Sequence, residues 1–121
     1  MNADQLAEIR PAVREAMAGG PDACVTLEDS EDAEKWVQFV DSTINSAYPH
    51  VNDPEVPFVP ESVLIELGGV SVAGWEAGKY VTFELETPEV DALALFIDAV
   101  FVQILQCAPG AYHVNVSHQI L

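Results

Sequence analysis

The stretch from Pro88 to Cys107 constrains this chain more than any other part of it. Thr87-Pro88-Glu89 reads as a helix start, with Thr as N-cap, Pro at the first helical position and an acid where the helix dipole favours one. The spacing predicts a helix running to about Cys107 and stopping before Pro109-Gly110, near 30 Å long at about 1.5 Å per residue. Val90, Leu93, Ala94, Ile97, Val100, Phe101 and Ile104 make one ordinary core stripe. Leu95, Phe96, Ala99 and Val102 extend the apolar character almost around the circumference, leaving a thin polar seam at Asp91, Asp98 and Gln106. A helix lying on one sheet needs only a single apolar face. The surplus must be buried under a second layer, in a subunit interface or against a bound partner. Burying Leu95 and Phe96 is worth roughly 1.5–3 kcal/mol each, which argues against leaving them in water.

That stretch is not a membrane span, because Asp91 and Asp98 are costly in hydrocarbon. The whole chain has 121 residues and a mass of 13.1 kDa, suited to a single α+β domain over 1–121. Twenty acids stand against four bases, for a formal charge of -16. With only Arg10, Arg14, Lys35 and Lys79 to displace counterions, nucleic acid and anionic membranes are poor partners. Cys24 and Cys107 are too few and too far apart for a disulfide framework or a zinc site, and read as reduced core thiols. The N-terminus has neither a basic start nor a continuous apolar run, so the cytoplasm is the expected location.

Along the chain, Leu6, Ile9, Val13 and Met17 have helical spacing with Asp4 as a cap, interrupted at Pro11 by a kink or a late start. Gly19-Gly20-Pro21 ends that helix. Ala23–Glu28 reads as a strand, followed by an acidic solvated turn from Glu28 to Glu34. Lys35–Ser42 fits either a helical stripe or a strand; its aromatic and β-branched density favours strand. Prolines 49, 54, 57 and 60 leave little regular structure, so any pairing at Thr43–Tyr48 is expected at a sheet edge. Glu61–Leu67, closed by Gly68-Gly69, is two helical turns or a short strand. Val70–Trp75 and Lys79–Leu85 form a hairpin turned at Glu76-Ala77-Gly78. In the last segment, Tyr112, Val114, Val116, His118 and Ile120 alternate with His113, Asn115, Ser117 and Gln119, as in a strand covered on one face.

A search for chemistry yields no catalytic, cofactor or metal site. His113 and His118, five apart, fall on opposite faces of a strand and cannot share a metal there. His50 with Asn52, Asp53 and Glu55 reads as a solvated loop rather than a cation site. Glu84 and Glu86 resemble a glycosidase pair only superficially. Gly68-Gly69 lacks the spacing of a phosphate loop.

Helix, paired strands, proline-rich connection, hairpin, long apolar helix and strand together resemble the superfamily (TY-Chap) joining type III secretion chaperones with YbjN-like regulators. The resemblance rests on Val25-Thr26-Leu27-Glu28, Trp36-Val37-Gln38-Phe39, Gly68-Gly69 with Trp75 to Phe83, and Pro88 to Leu105. The terminal strand Tyr112–His118 departs from the secretion chaperones' pattern. The resemblance implies a small acidic protein without catalytic residues, often dimeric, that binds polypeptides through apolar patches beside its sheet.

The sequence therefore predicts an antiparallel sheet of about five strands with the N-terminal and long C-terminal helices packed on it, type III secretion chaperone-like. Its expected role is that of a non-enzymatic, cofactor-free, homodimeric protein-binding module. The candidate contact residues are Leu95, Phe96, Ala99 and Val102, with Trp36 and Trp75, and Phe96→Asp is expected to give a folded protein that has lost its partner. An acidic inhibitor of a basic protein such as a nuclease, and a small enzyme using a carboxylate or histidine, are the alternatives.

Overall fold

Leu6, Ile9, Val13 and Ala16 fall on the buried side of helix α1 (Ala3–Ala18) in the computed structural model, which describes residues 3–54 and 59–121. The helix already includes Ala3, and the side chain of the expected cap, Asp4, lies outside what is described. The helix also runs through Pro11 without the expected interruption. Pro11 and Ala7 both lie on the exposed side, where water can satisfy the carbonyl that the missing N–H leaves unpaired. Met17, placed on the apolar stripe by its spacing, is instead 37% exposed.

Three strands follow: β1 (Ala23–Asp29), β2 (Asp32–Val40) and β3 (Thr43–Ala47). The acidic turn between β1 and β2 organises itself, with Asp29 Oδ1 accepting from Glu31 N at 2.9 Å and Asp32 Oδ1 from Glu34 N at 3.0 Å. Val25, Leu27, Val37 and Phe39 point to one face and are buried, as the strand reading of Lys35–Ser42 requires. That strand starts earlier and ends before Asp41, whose φ of 55° turns the chain into β3.

After the proline-rich connection come α2 (Glu61–Glu66), β4 (Val70–Glu76) and β5 (Tyr80–Leu85). The helical alternative for Glu61–Leu67 is the one realised. Gly68, at φ +71°, donates to Ile65 O and closes it. The β4–β5 hairpin turns as expected, with Gly78 at φ +71° and Val81, Phe83 and Leu85 buried.

The long helix, α3 (Val90–Ala99), is shorter at both ends than its sequence predicts. Glu89 is the N-cap, its Oε2 accepting from Ala92 N at 2.7 Å. Thr87, the expected cap, stands two residues before Glu89 in the preceding loop, where its N–H donates to Leu67 O at 2.9 Å. A π-helical turn, Val100–Ile104, continues α3, and Gln106 at φ 61° ends it before Cys107. Strand β6 (Val114–Ile120) closes the described chain.

Among the described residues the sheet has six antiparallel strands rather than about five, in the order β4-β5-β3-β2-β1-β6. Thr43–Ala47 is a central strand, not an edge, pairing with both β2 and β5. The first proline of the connection, Pro49, comes after β3 has ended, so every ladder donor is present. All three helices contribute to one core on a single face, around Phe39, Phe83, Phe96, Phe101, Leu93 and Ile97. The other face carries a polar row, Ser117, Thr26, Gln38, Asn45 and Thr82, with Gln38 Nε2 donating to Thr26 Oγ1 and Thr82 Oγ1 to Asn45 Oδ1. No helix among the described residues is long and apolar enough to cross a membrane.

Candidate functional site

The surplus apolar surface of α3 is met inside the subunit. Phe96 is fully buried, its ring edge-on to Phe83, which makes it a core residue and not a contact for a partner. Leu95 and Val102 are half-buried and packed against the same core, and Ala99 is half-buried beside them. The covering layer comes from α1 and α2, which both lie against α3, and Arg10 Nε reaches Asp91 Oδ1 at 3.0 Å. The polar seam does not face water as one strip either. Asp98 is 6% exposed and accepts from the Tyr112 hydroxyl at 2.5 Å.

The two tryptophans do not form a patch. Trp36 is on the open face of the sheet, whereas Trp75 is on the helix side, edge-on to Tyr48 with centroids 5.9 Å apart. A groove of about 530 Å³ beside Trp36 gathers Lys35 and Lys79, but Asp32 and Glu34 line it too and Glu76 pairs with Lys79 at 3.1 Å. Its charges offset one another, which leaves no field to select an ion.

The closest approach to a catalytic constellation is at Cys107, where Asp29, Tyr112 and His113 share a small cavity of about 190 Å³. A nucleophilic cysteine needs its thiol pKa pushed down. Burial, then the hydrogen bond to Asp29 Oδ2 at 3.3 Å and that carboxylate's charge, push Cys107 up to about 12 instead. Burial raises Cys24 as well, and both thiols are free. Tyr112 is raised by burial, its hydrogen bond to Asp98 and that residue's charge.

Each histidine has a partner within the subunit. His113 lies just before β6, not within it, so the opposite-face expectation does not hold. His113 Nδ1 reaches Glu8 Oε1 at 3.2 Å, and His118 Nε2 reaches Glu15 Oε2 at 3.1 Å, on the same helix α1. His50 Nε2 donates to Ile104 O at 2.7 Å, since a carbonyl can only accept, and pins the proline-rich connection to the end of the π-helical turn that follows α3. Glu55, grouped with His50 in the sequence, lies outside the described residues. Glu84 ends exposed on the open face and Glu86 lies past the strand. Among the described residues, no three His, Cys, Asp or Glu side chains gather to hold a metal.

One feature escaped the sequence reading: the outer edge of β6. Among the described residues this strand pairs with β1 on one side only, as Ala23↔Ile120 through Asp29↔Val114. Leu121 N donates to Asp22 O at 2.9 Å and Ser30 N to His113 O at 2.8 Å, so the odd-numbered residues bond inward to β1. By the alternation of an antiparallel ladder, Val114, Val116, His118 and Ile120 turn their N–H and C=O groups outward. Beside them Val116, Ile120 and Leu121 are 40%, 71% and 68% exposed, so the apolar side is covered as expected at Tyr112 and Val114 but open at Val116 and Ile120. α1 touches β6 through Glu15 and His118 but leaves these side chains in solvent.

Edges of this kind are usually blunted by charge, proline or a bulge. The opposite edge, β4, has a bulge between Val72 and Gly74. β6 has none of the three, and no Asp, Glu, Lys or Arg occurs anywhere after Asp98 in a chain otherwise dense in acids. That charge gap is the sequence signal that would have pointed to the edge. Comparison with protein-family models, curated proteins and solved structures finds no match to this chain.

Proposed function

We propose that this chain is a non-enzymatic protein-binding module that takes a polypeptide partner by strand addition at the β6 edge. The observation that carries this reading is the seven-residue uncharged edge with four outward-facing donor–acceptor pairs. A strand laid along it gains main-chain hydrogen bonds worth about 0.5–1.5 kcal/mol each, and contact with the exposed Val116 and Ile120 side chains. The resemblance to the secretion-chaperone and YbjN-like superfamily supports polypeptide binding as the role. The location of the binding surface differs from the long-helix surface that the sequence suggested, because α1 and α2 already occupy that surface.

The test uses a fluorescent peptide of alternating threonine and valine, titrated with purified protein and followed by anisotropy. Saturable binding is expected, abolished by Val116→Pro, which removes an outward N–H without touching the β1 ladder. Binding that is absent, or indifferent to Val116→Pro and to Val116→Lys, would overturn the reading.

A further inference from the structure

We propose that the polypeptide seated on β6 is a second copy of this chain, paired antiparallel about a two-fold axis through Ser117. This inference rests on the strand-addition reading and names its partner.

A two-fold axis perpendicular to the sheet must pass through a residue position, because directly opposed residues of antiparallel strands share a face. Centring it on Ser117 sets Val116 opposite His118 of the other copy, and Val114 opposite Ile120. Those four residues are the ones whose N–H and C=O point outward. The register therefore uses every outward group of the strand. Moving the axis to Val116 or His118 strands Ile120 or Val114 at one end.

The side chains match in the same register. On the helix side Val114 meets Ile120 and Val116 meets His118, and on the other side Asn115 meets Gln119 and Ser117 meets itself. Val114 and Ile120 pair apolar with apolar and Asn115 and Gln119 pair amide with amide, which is cross-strand pairing a sheet favours, while Val116 meets the His118 imidazole.

Charge argues for the same occupant. A chain of net charge -16 would select a basic partner wherever its acids line the contact. β6 supplies no acid of its own, since residues 99–121 contain no Asp, Glu, Lys or Arg, and the one carboxylate set against the strand, Glu15 of α1, is already paired with His118. Two strongly acidic subunits that meet along this edge therefore bring no carboxylate from the strands themselves into the contact. The contact is small for an interface, so its dissociation constant is expected to be on the order of micromolar.

The experiment combines sedimentation equilibrium with directed cross-linking. At concentrations above the dissociation constant the wild type should approach twice 13.1 kDa, and Val116→Pro should remain at 13.1 kDa. Ser117→Cys, with oxidised glutathione as the oxidant, should give a disulfide-linked dimer. The opposed residues form a non-hydrogen-bonded pair with Cα atoms about 4.5 Å apart, within disulfide reach. Gln119→Cys should not self-link, because it faces Asn115 of the other copy. Cys24 and Cys107 are buried and do not compete.

A mass of 13.1 kDa at every concentration, or equal cross-linking of the two cysteine variants, would overturn the proposal. If such a monomer still binds the threonine–valine peptide through Val116, self-pairing fails alone and strand addition stands. A dimer unaffected by Val116→Pro and Val116→Lys would overturn self-pairing at β6, and peptide binding that is absent or equally unaffected would overturn strand addition as well.

Discussion

The ring of Phe96 on α3 stands edge-on to the ring of Phe83 on β5, centroids 5.3 Å apart and planes at 81°. This contact joins the long helix to the centre of the sheet, and both rings are fully buried. Phe96→Ala should cost about 3–5 kcal/mol in urea denaturation. Phe96→Asp should fail to fold rather than yield the folded, partner-deficient protein that the helix pattern alone suggests.

Tyr112 stacks on Phe101 and donates its hydroxyl to the buried carboxylate of Asp98. Tyr112→Phe keeps the stack and removes the donor, so a loss of about 1–3 kcal/mol is expected in thermal unfolding. Adding Asp98→Leu should recover part of that loss, because no buried carboxylate then remains to be satisfied.

Stability should fall in alkali. The thiol of Cys107 is raised from 9.0 to about 12, so the native chain holds a proton that the unfolded chain releases earlier. The stabilisation is fully present below pH 9.0 and is lost as the pH rises toward 12. Tyr112, raised from 10.0, acts in the same direction at higher pH. Melting temperatures measured upward from pH 7 should decline beyond pH 9.0, and Cys107→Ala should flatten the first part of that decline.

Gly68 combines a φ of +71° with close neighbours: an added Cβ would lie 2.9 Å from Thr87 Oγ1 and 3.0 Å from Glu86 Cβ. Gly68→Ala should therefore destabilise by about 1–3 kcal/mol. Gly69→Ala, at φ +98° but in open space, should cost less. Chemical denaturation of the two variants side by side checks the order.

Ser117→Pro and Val116→Pro should differ although the residues are adjacent. The Ser117 N–H faces β1, so its loss breaks the ladder, whereas the Val116 N–H faces outward. The expected result is a loss of at least about 1 kcal/mol more for Ser117→Pro in urea.

Local pattern revealed the elements where one face is dry and the other wet. Val81, Phe83 and Leu85 against Tyr80, Thr82 and Glu84 gave the hairpin's inward side directly, and Val25, Leu27, Val37 and Phe39 did the same for β1 and β2. The central position of β3 was not visible, because Thr43–Ala47 is short, carries a buried serine, and owes its place to pairing with β5 far along the chain. The apolar excess of α3 was legible as an excess, but its destination was not. Whether α1 and α2 or a second molecule covers a helix depends on packing between distant elements. β6 posed the converse problem. Its alternation gave the two faces, yet periodicity says nothing about whether a strand has one neighbour or two.

Amide hydrogen exchange resolved by residue along β6 tests the central claim most directly. Asn115, Ser117 and Gln119 should be protected in any folded subunit, since they bond to β1. In concentrated protein Val114, Val116, His118 and Ile120 should be protected as well, and should lose that protection on dilution. Free exchange at those four amides at every concentration, beside full protection of the other three, would contradict it.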